Sequence, residues 1–168
     1  DLSTQKLYSI GDQTKKVLEN LEKEVTLYLV AQNGTESSEI EKLLEKYEEG
    51  SKYIKVEKKD PAVNPKFASQ YTSDGLSNNS IIVVCGDKNK VIDNSSLYET
   101  SINYQTYSSE VTGFDGEGQL TSAINYVTSE DMPVMYTLEG HEEASMSDTL
   151  KDTIQKANID IQSLNLLT

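Results

Sequence analysis

Arginine is absent from this sequence of 168 residues, whose 15 basic residues are all lysine and whose 28 acidic residues bring the net charge to −13. The planar guanidinium fork of arginine is the side chain best suited to grip phosphate and read bases. An acidic chain without it is repelled by the phosphate backbone and by anionic membrane surfaces. The composition therefore predicts a protein that has no nucleic-acid partner.

Cysteine and histidine occur once each, as Cys85 and His141. A single cysteine excludes an internal disulfide and a cysteine-rich zinc site. Cys85 lies in the apolar run "SIIVVCGD", which is typical of a buried, inert thiol. A Cys–His nucleophile would have to pair Cys85 with His141, yet Cys85 falls within a predicted hairpin and not at a strand-to-helix elbow. No catalytic residue is assigned.

The sequence also lacks an apolar run of the roughly 20 residues that span a bilayer, and it has no signal peptide. It begins at Asp1 without a methionine and stops after "SLNLLT". We therefore expect a segment of a longer protein.

The order of predicted elements is α-β-α-β-α-β-β, a connection, and then α-β-α-β. The first helix covers "YSIGDQTKKVLENL", with Ser9 as its predicted N-cap. The hairpin is predicted in "SIIVVCGDKNKVID", where two apolar runs flank a Gly-Asp-Lys-Asn turn. The stretch "SINYQTYSSEVTGFDGEG" is rich in Ser, Thr, Gly and Tyr, which favours a long connection between two units.

This alternation predicts an α/β protein. Residues 1–100 are predicted to form a thioredoxin-like α/β domain, 101–118 a linker, and 119–168 the start of a second, doubly wound α/β unit. In the thioredoxin arrangement a C-x-x-C opens the helix after a central strand. Here "LVAQNGTESSE" occupies that place without cysteine, which excludes thiol–disulfide exchange.

No cofactor or metal is expected. The glycines of "GFDGEGQL" have the spacing G-x-x-G-x-G, which is not the dinucleotide fingerprint, and acidic residues stand where an anion would approach. The second histidine of an H-E-x-x-H zinc motif is replaced by Ser145.

The stretch "YTLEGHEE" contains the one polar constellation at a predicted strand end. Ligands of doubly wound sheets bind at the carboxyl ends of strands, and this turn follows the strand "MPVMYTLEGH". Its candidate ligand-binding residues are Glu139, His141, Glu142 and Glu143. The partners that would complete a catalytic set are absent from the sequence around them, so a polar turn after an ordinary strand is the alternative interpretation.

Three stretches together resemble a known family: "DLSTQKLYSIGDQTKKVLENLEKEVTLYLV", "YTSDGLSNNSIIVVCGDKNKVID" and "GQLTSAINYVTSEDMPVMYTLEGHEE". They are similar, in the same order, to the extracytoplasmic region of the auxiliary component of gliding-motility-type (GldG-like) ABC transporters. The family turn that corresponds to "EGHEE" is T-G-H-G-E. Glu139 and Glu142 stand here where the family has small residues, which argues against a ligand held by close backbone approach.

The resemblance implies a bacterial domain on the extracytoplasmic face of the cell membrane, anchored by helices outside these residues. It also implies an ABC permease and an ATPase as partners. Such proteins occur in bacteria that do not glide, so motility does not follow.

Two functions of different classes follow from the sequence. The first is a non-catalytic interaction domain of a transporter assembly, which binds transporter partners or an exported ligand. The second is a hydrolase or amidotransferase-like enzyme that uses His141 at its strand end.

Overall fold

The computed structural model describes residues 9–130, 134–139, 146–157 and 159–165. The chain divides into two compact units, with the boundary between Thr128 and Ser129. Each unit is described separately below.

Four strands, a hairpin and three helices build the first unit. In chain order they are α1 (Asp12–Glu19), β1 (Val25–Val30), α2 (Ser38–Gly50), β2 (Ile54–Lys59), β3 (Ser80–Cys85), β4 (Lys88–Ile92), β5 (Tyr98–Asn103), β6 (Ser108–Phe114) and α3 (Gly116–Thr128). Short 3₁₀ helices occur at Ala68–Gln70 and Asn94–Leu97.

The four-stranded sheet has the order β2-β1-β3-β4. Strand β1 is parallel to β2 and antiparallel to β3, and β3 is antiparallel to β4. The two central strands, "VTLYLV" and "SIIVVC", are apolar, whereas the edge strands "IKVEKK" and "KNKVI" are rich in lysine. This division is expected, because central strands are covered on both faces and edge strands meet solvent. The predicted α/β class is confirmed.

The hairpin predicted across Gly-Asp-Lys-Asn is present, with a tighter turn. Cys85 pairs with Lys88, so only Gly86 and Asp87 lie between the strands. Gly86 has φ +59°. A positive φ at the first central position suits the type II′ turn of two-residue hairpins, and glycine adopts it without a steric cost.

Helix α3 corrects the predicted domain boundary. The sequence assigned the helix from residue 119 to the second domain, but its apolar stripe of Leu120, Ala123, Ile124 and Val127 is buried in the core of the first unit. That core also contains the inward side chains of β1 and β3 and one face of α2. The chain thus returns to the first unit after residue 100, because the sheet has apolar surface that α3 covers.

The predicted linker 101–118 is also corrected. It contains most of an antiparallel hairpin, β5–β6, with a register irregularity between Glu99 and Thr100, and the first turn of α3. The Ser- and Thr-rich composition concealed a period-two pattern in which Tyr98, Thr100 and Ile102 alternate with polar residues. That alternation is the usual signal of a strand.

A polar network connects the three helices of the first unit. Glu117 of α3 accepts hydrogen bonds from the Gly11 amide (2.7 Å) and the Thr14 hydroxyl (2.6 Å) at the start of α1. The buried Tyr47 hydroxyl of α2 lies 2.5 Å from Thr121 Oγ1. Gly11 is the N-cap of α1, not Ser9 as predicted, and Glu117 binds its amide as the N3 glutamate of a capping box does.

The second unit, as far as the structure describes it, is a strand–helix–strand element: β7 (Val134–Glu139), α4 (Asp148–Lys156) and β8 (Asp160–Asn165). Strands β7 and β8 are parallel. This is the element from which doubly wound sheets are built. Across the described ranges of both units, no helix has the length and apolar character needed to cross a membrane.

Candidate functional site

The predicted strand-end site falls largely outside the described residues. Glu139 is the last residue of β7 and pairs in register with Asn165 of β8, so the backbone places it at the carboxyl end of a parallel pair. His141, Glu142 and Glu143 lie outside the described residues. The ligand-binding role of these four residues stays a prediction.

Cys85 ends β3 and is buried. Burial raises the pKa of its thiol, and Asp87 adds to the increase, while Lys23 and Lys88 act in the opposite direction. A raised pKa keeps the thiol protonated at neutral pH, and the protonated thiol is a poor nucleophile and metal ligand. The side chain therefore contributes to the core.

The loop between β1 and α2 is the place where a thioredoxin-like sheet would hold its reactive cysteines. Two consecutive asparagines bind this loop from the segment before β3. Asn78 accepts from the Gln32 amide (2.8 Å) and donates to the Thr35 hydroxyl (2.8 Å). Asn79 accepts from the Ser37 amide (2.7 Å) and donates to the Thr35 carbonyl (3.0 Å).

These hydrogen bonds pair polar groups of the loop with acceptors and donors of the protein itself. Two further loop amides are taken by carboxylates, Asn33 by Asp60 (3.1 Å) and Gly34 by Glu36 (2.8 Å). An anion-binding loop instead presents its backbone amides to the ligand. The arrangement is suited to holding two loops together, and it leaves those four amides engaged with protein acceptors.

Asp93 organises the neighbouring turn. Its carboxylate accepts from both the amide and the hydroxyl of Ser77 (2.9 and 3.1 Å) and from both groups of Ser95 (3.1 and 2.7 Å). Burial acts to raise the pKa of Asp93, but these hydrogen bonds outweigh it and lower the pKa to about 2. Hydrogen bonds to the charged form favour that form, so the carboxylate is ionised throughout the physiological range.

Replacement of Asp93 by Asn is expected to lower the free energy of unfolding at pH 7 by roughly 1 kcal/mol, because a neutral amide accepts weaker hydrogen bonds. The folded-state pKa lies below the reference value of 3.8. The stabilisation is therefore fully present above about pH 4 and is lost as the pH falls toward 2. Urea unfolding across this range should show a steeper loss for the unaltered protein than for Asp93→Asn. Parallel pH profiles of the two proteins would contradict the assignment of this acid-dependent stabilisation to Asp93.

An aromatic cluster covers part of the sheet face opposite the helices. The rings of Tyr28 and Phe67 lie 4.8 Å apart, those of Phe67 and Tyr71 5.4 Å apart, and the Lys59 ammonium lies 5.4 Å from the Phe67 ring centre. A cavity of about 30 Å³ beside Phe67 has room for a water molecule or two. The side chains of this cluster pack against one another and leave no space for an organic ligand.

A larger pocket, about 250 Å³, is lined mainly by charged residues of α1 and α2, among them Lys15, Glu19, Lys46 and Glu49. Lys46 and Glu49 form an ion pair with each other at 2.7 Å. Small-molecule sites are usually larger and mostly apolar. Within the described ranges, no group of three or more His, Cys, Asp or Glu side chains is arranged to hold a metal ion.

Among the described residues of the first unit, most of the exposed large hydrophobic side chains belong to the β5–β6 hairpin. Ile102 is 59% exposed and Val111 67%, while Tyr104 and Tyr107 near the turn are 79% and 87% exposed. Tyrosine and aliphatic side chains concentrated on one projecting element are characteristic of interaction surfaces. We call the hairpin from Tyr98 to Phe114 the interaction hairpin. Sequence analysis assigned it to a connection and missed it, although the alternation from Tyr98 to Tyr104 was a usable signal.

The sequence comparisons identify a family but no characterised relative. A family model described as a domain of unknown function (DUF7088) matches residues 4–98, which is more than half of the chain. No curated protein matches the sequence.

Proposed function

The chain belongs to the DUF7088 family, and we propose that it is a non-catalytic, extracytoplasmic interaction domain of an ABC transporter auxiliary subunit. Its partners are the permease and ATPase subunits, and the full-length protein is anchored in a bacterial cell membrane. The resemblance to gliding-motility-type auxiliary components supplies the class of assembly.

The interaction hairpin is the observation that carries this proposal. A two-stranded ribbon that exposes two tyrosines and two aliphatic side chains is the kind of surface that commonly binds a partner protein. The residues of the β1–α2 loop, in contrast, are engaged with one another and with Asn78 and Asn79. A binding function of the first unit therefore has better structural support than a catalytic one.

The strand arrangement supports a thioredoxin-like interpretation of the first unit. The order β2-β1-β3-β4, with one parallel and two antiparallel pairs, is the order of the thioredoxin sheet. Helix α2 connects the parallel strands, and α3 corresponds to the helix that follows the final hairpin of that arrangement. In this interpretation the interaction hairpin is an insertion between β4 and the last helix.

The test is affinity capture of the full-length, membrane-inserted protein from its native host, with mass spectrometry of the proteins that co-purify. We expect an ABC permease and an ATPase to be recovered. Their absence, in detergents that preserve other transporters, would contradict the proposal.

The variant His141→Ala separates this proposal from the enzyme alternative. An interaction domain should retain folding and co-purification when the imidazole is removed. A hydrolase or amidotransferase-like enzyme requires turnover of an ester or amide substrate by the unaltered protein that His141→Ala abolishes.

A further inference from the structure

We propose that the interaction hairpin binds its partner by strand addition: an extended segment of a partner protein, with uncharged and basic side chains, pairs with an exposed edge of β5–β6. The inference rests on the proposed function, and it adds the binding mode and the chemistry of the segment that is bound.

The backbone edges of the hairpin are open. Within the part of the chain that the structure describes, β5 and β6 pair only with each other, so each has one edge with no strand beside it. Exposed edges of this kind are templates for an additional strand, and proteins commonly protect them with lysine. An incoming strand would satisfy the backbone groups of the edge and form a three-stranded sheet.

The edge strands of the main sheet show that protection, and the hairpin does not. Strand β2 has three lysines and β4 has two, whereas residues 98–114 contain none. Lysine accounts for 15 of the 168 residues of the chain but for five of the eleven residues of β2 and β4, so it is concentrated on the edge strands of the sheet. The edges of the hairpin therefore lack the lysines that disfavour strand addition at the edges of the sheet.

One face of the hairpin combines two aliphatic and two hydroxyl side chains. In the observed register Thr100 lies opposite Val111 and Ile102 lies opposite Ser109. Because side chains alternate between faces, these four residues share one face, with Ile102 and Val111 on its diagonal. A strand added at either edge would place every second side chain beside this face. The bound segment is thus expected to carry apolar residues at alternate positions.

The negative charge of the hairpin and of the chain favours one kind of binding partner over the others. The interaction hairpin contains two acidic residues, Glu99 and Glu110, and no cation, and the chain as a whole has a net charge of −13. A second copy of the chain would bring the same negative charge, and an anionic lipid surface would also be repelled. A segment with lysine or arginine beside its apolar residues complements both the local and the overall charge.

The experiment uses the full-length protein in its native membrane, with a photo-cross-linking amino acid at position 102. Val63, which is 71% exposed and lies outside the hairpin, supplies the matched control position. Cross-linked peptides are mapped by mass spectrometry. We expect position 102 to label an extended segment of a transporter subunit that has apolar and basic residues, and position 63 not to label it.

Hydrogen exchange then distinguishes strand addition from side-chain packing. In the isolated complex the amides of residues 98–114 should exchange at least about tenfold more slowly than in the free protein, since paired edge amides are protected. Val111→Lys should reduce the cross-link from position 102 about tenfold, whereas Val63→Lys should not, because lysine on the hairpin face disfavours an added strand. Both hairpin positions are exposed, so these variants are expected to fold.

Three outcomes overturn the inference: cross-links to a second copy of the chain, cross-links to lipid, and unchanged exchange of the hairpin amides in the complex. The proposed function is tested separately. If permease and ATPase co-purify equally with Val111→Lys and with the unaltered protein, the hairpin assignment is wrong and the transporter assignment stands. If they do not co-purify with the unaltered protein, the transporter assignment itself is contradicted.

Discussion

A chain that ends at residue 100, the predicted limit of the first domain, is expected to be unfolded, whereas a chain that ends at Thr128 folds cooperatively. The difference is α3, whose Leu120, Ile124 and Val127 are buried in the core of the first unit. Each such side chain contributes about 1.5–3 kcal/mol, so together they supply roughly 5–9 kcal/mol. A domain of this size has about 5–15 kcal/mol in total. Circular dichroism and urea unfolding of the two chains provide the measurement.

A pair of neighbouring substitutions in the intact chain checks the same point without truncation. Ile124 is fully buried and Asn125 is exposed. Ile124→Asp should lower the free energy of unfolding by at least about 3 kcal/mol, because it places an unpaired charge in the core. Asn125→Asp adds the same charge in solvent and should change stability by less than about 0.5 kcal/mol. Equal effects of the two substitutions would mean that α3 does not cover the sheet.

Asn79→Ala is expected to destabilise the first unit by about 2–3 kcal/mol, through lost hydrogen bonds and backbone strain. Asn79 has φ +65°, a conformation that asparagine tolerates better than alanine does. Its side chain also joins the Ser37 amide to the Thr35 carbonyl, across the loop between β1 and α2. Both effects act at one residue, and they can be separated.

Asn79→Gly and Asn78→Ala divide these contributions. Glycine removes the backbone strain and keeps the loss of the two hydrogen bonds, so Asn79→Gly should recover roughly 1 kcal/mol relative to alanine. Asn78→Ala removes hydrogen bonds of similar length to the same loop, at a residue whose φ is not positive. Urea midpoints of the three variants supply the comparison. Identical stabilities for Asn79→Ala and Asn79→Gly would show that backbone strain at this residue is negligible.

The local elements of the first sheet were predictable because their signals are local. The apolar runs "VTLYLV" and "SIIVVC" indicate central strands, and Gly86 with Asp87 after the second run indicates a tight turn. Helix α2 is equally predictable from the spacing of Ile40, Leu44 and Tyr47, which the structure buries on one face.

The candidate interaction surface was not recognised from the sequence, for a physical reason. Serine and threonine in "YETSINYQTYSSEVTGF" are compatible with both loops and exposed strands, so composition alone does not separate the two. Only the pairing of β5 with β6 places Ile102 and Val111 on one face. The predicted turn at His141, in contrast, rested on residue type and strand-end position, and it stays a prediction.

By itself the sequence determined the α/β class, the β3–β4 hairpin, the unpaired thiol and the strongly acidic composition, since each of these depends on residue type and short-range periodicity. Only the tertiary structure decided which segments that are distant in the sequence come into contact. It brought Glu117 to the start of α1, 106 residues away from Gly11, and it returned α3 to the first sheet. An amphipathic helix must bury its apolar stripe, but its own sequence does not say against which sheet.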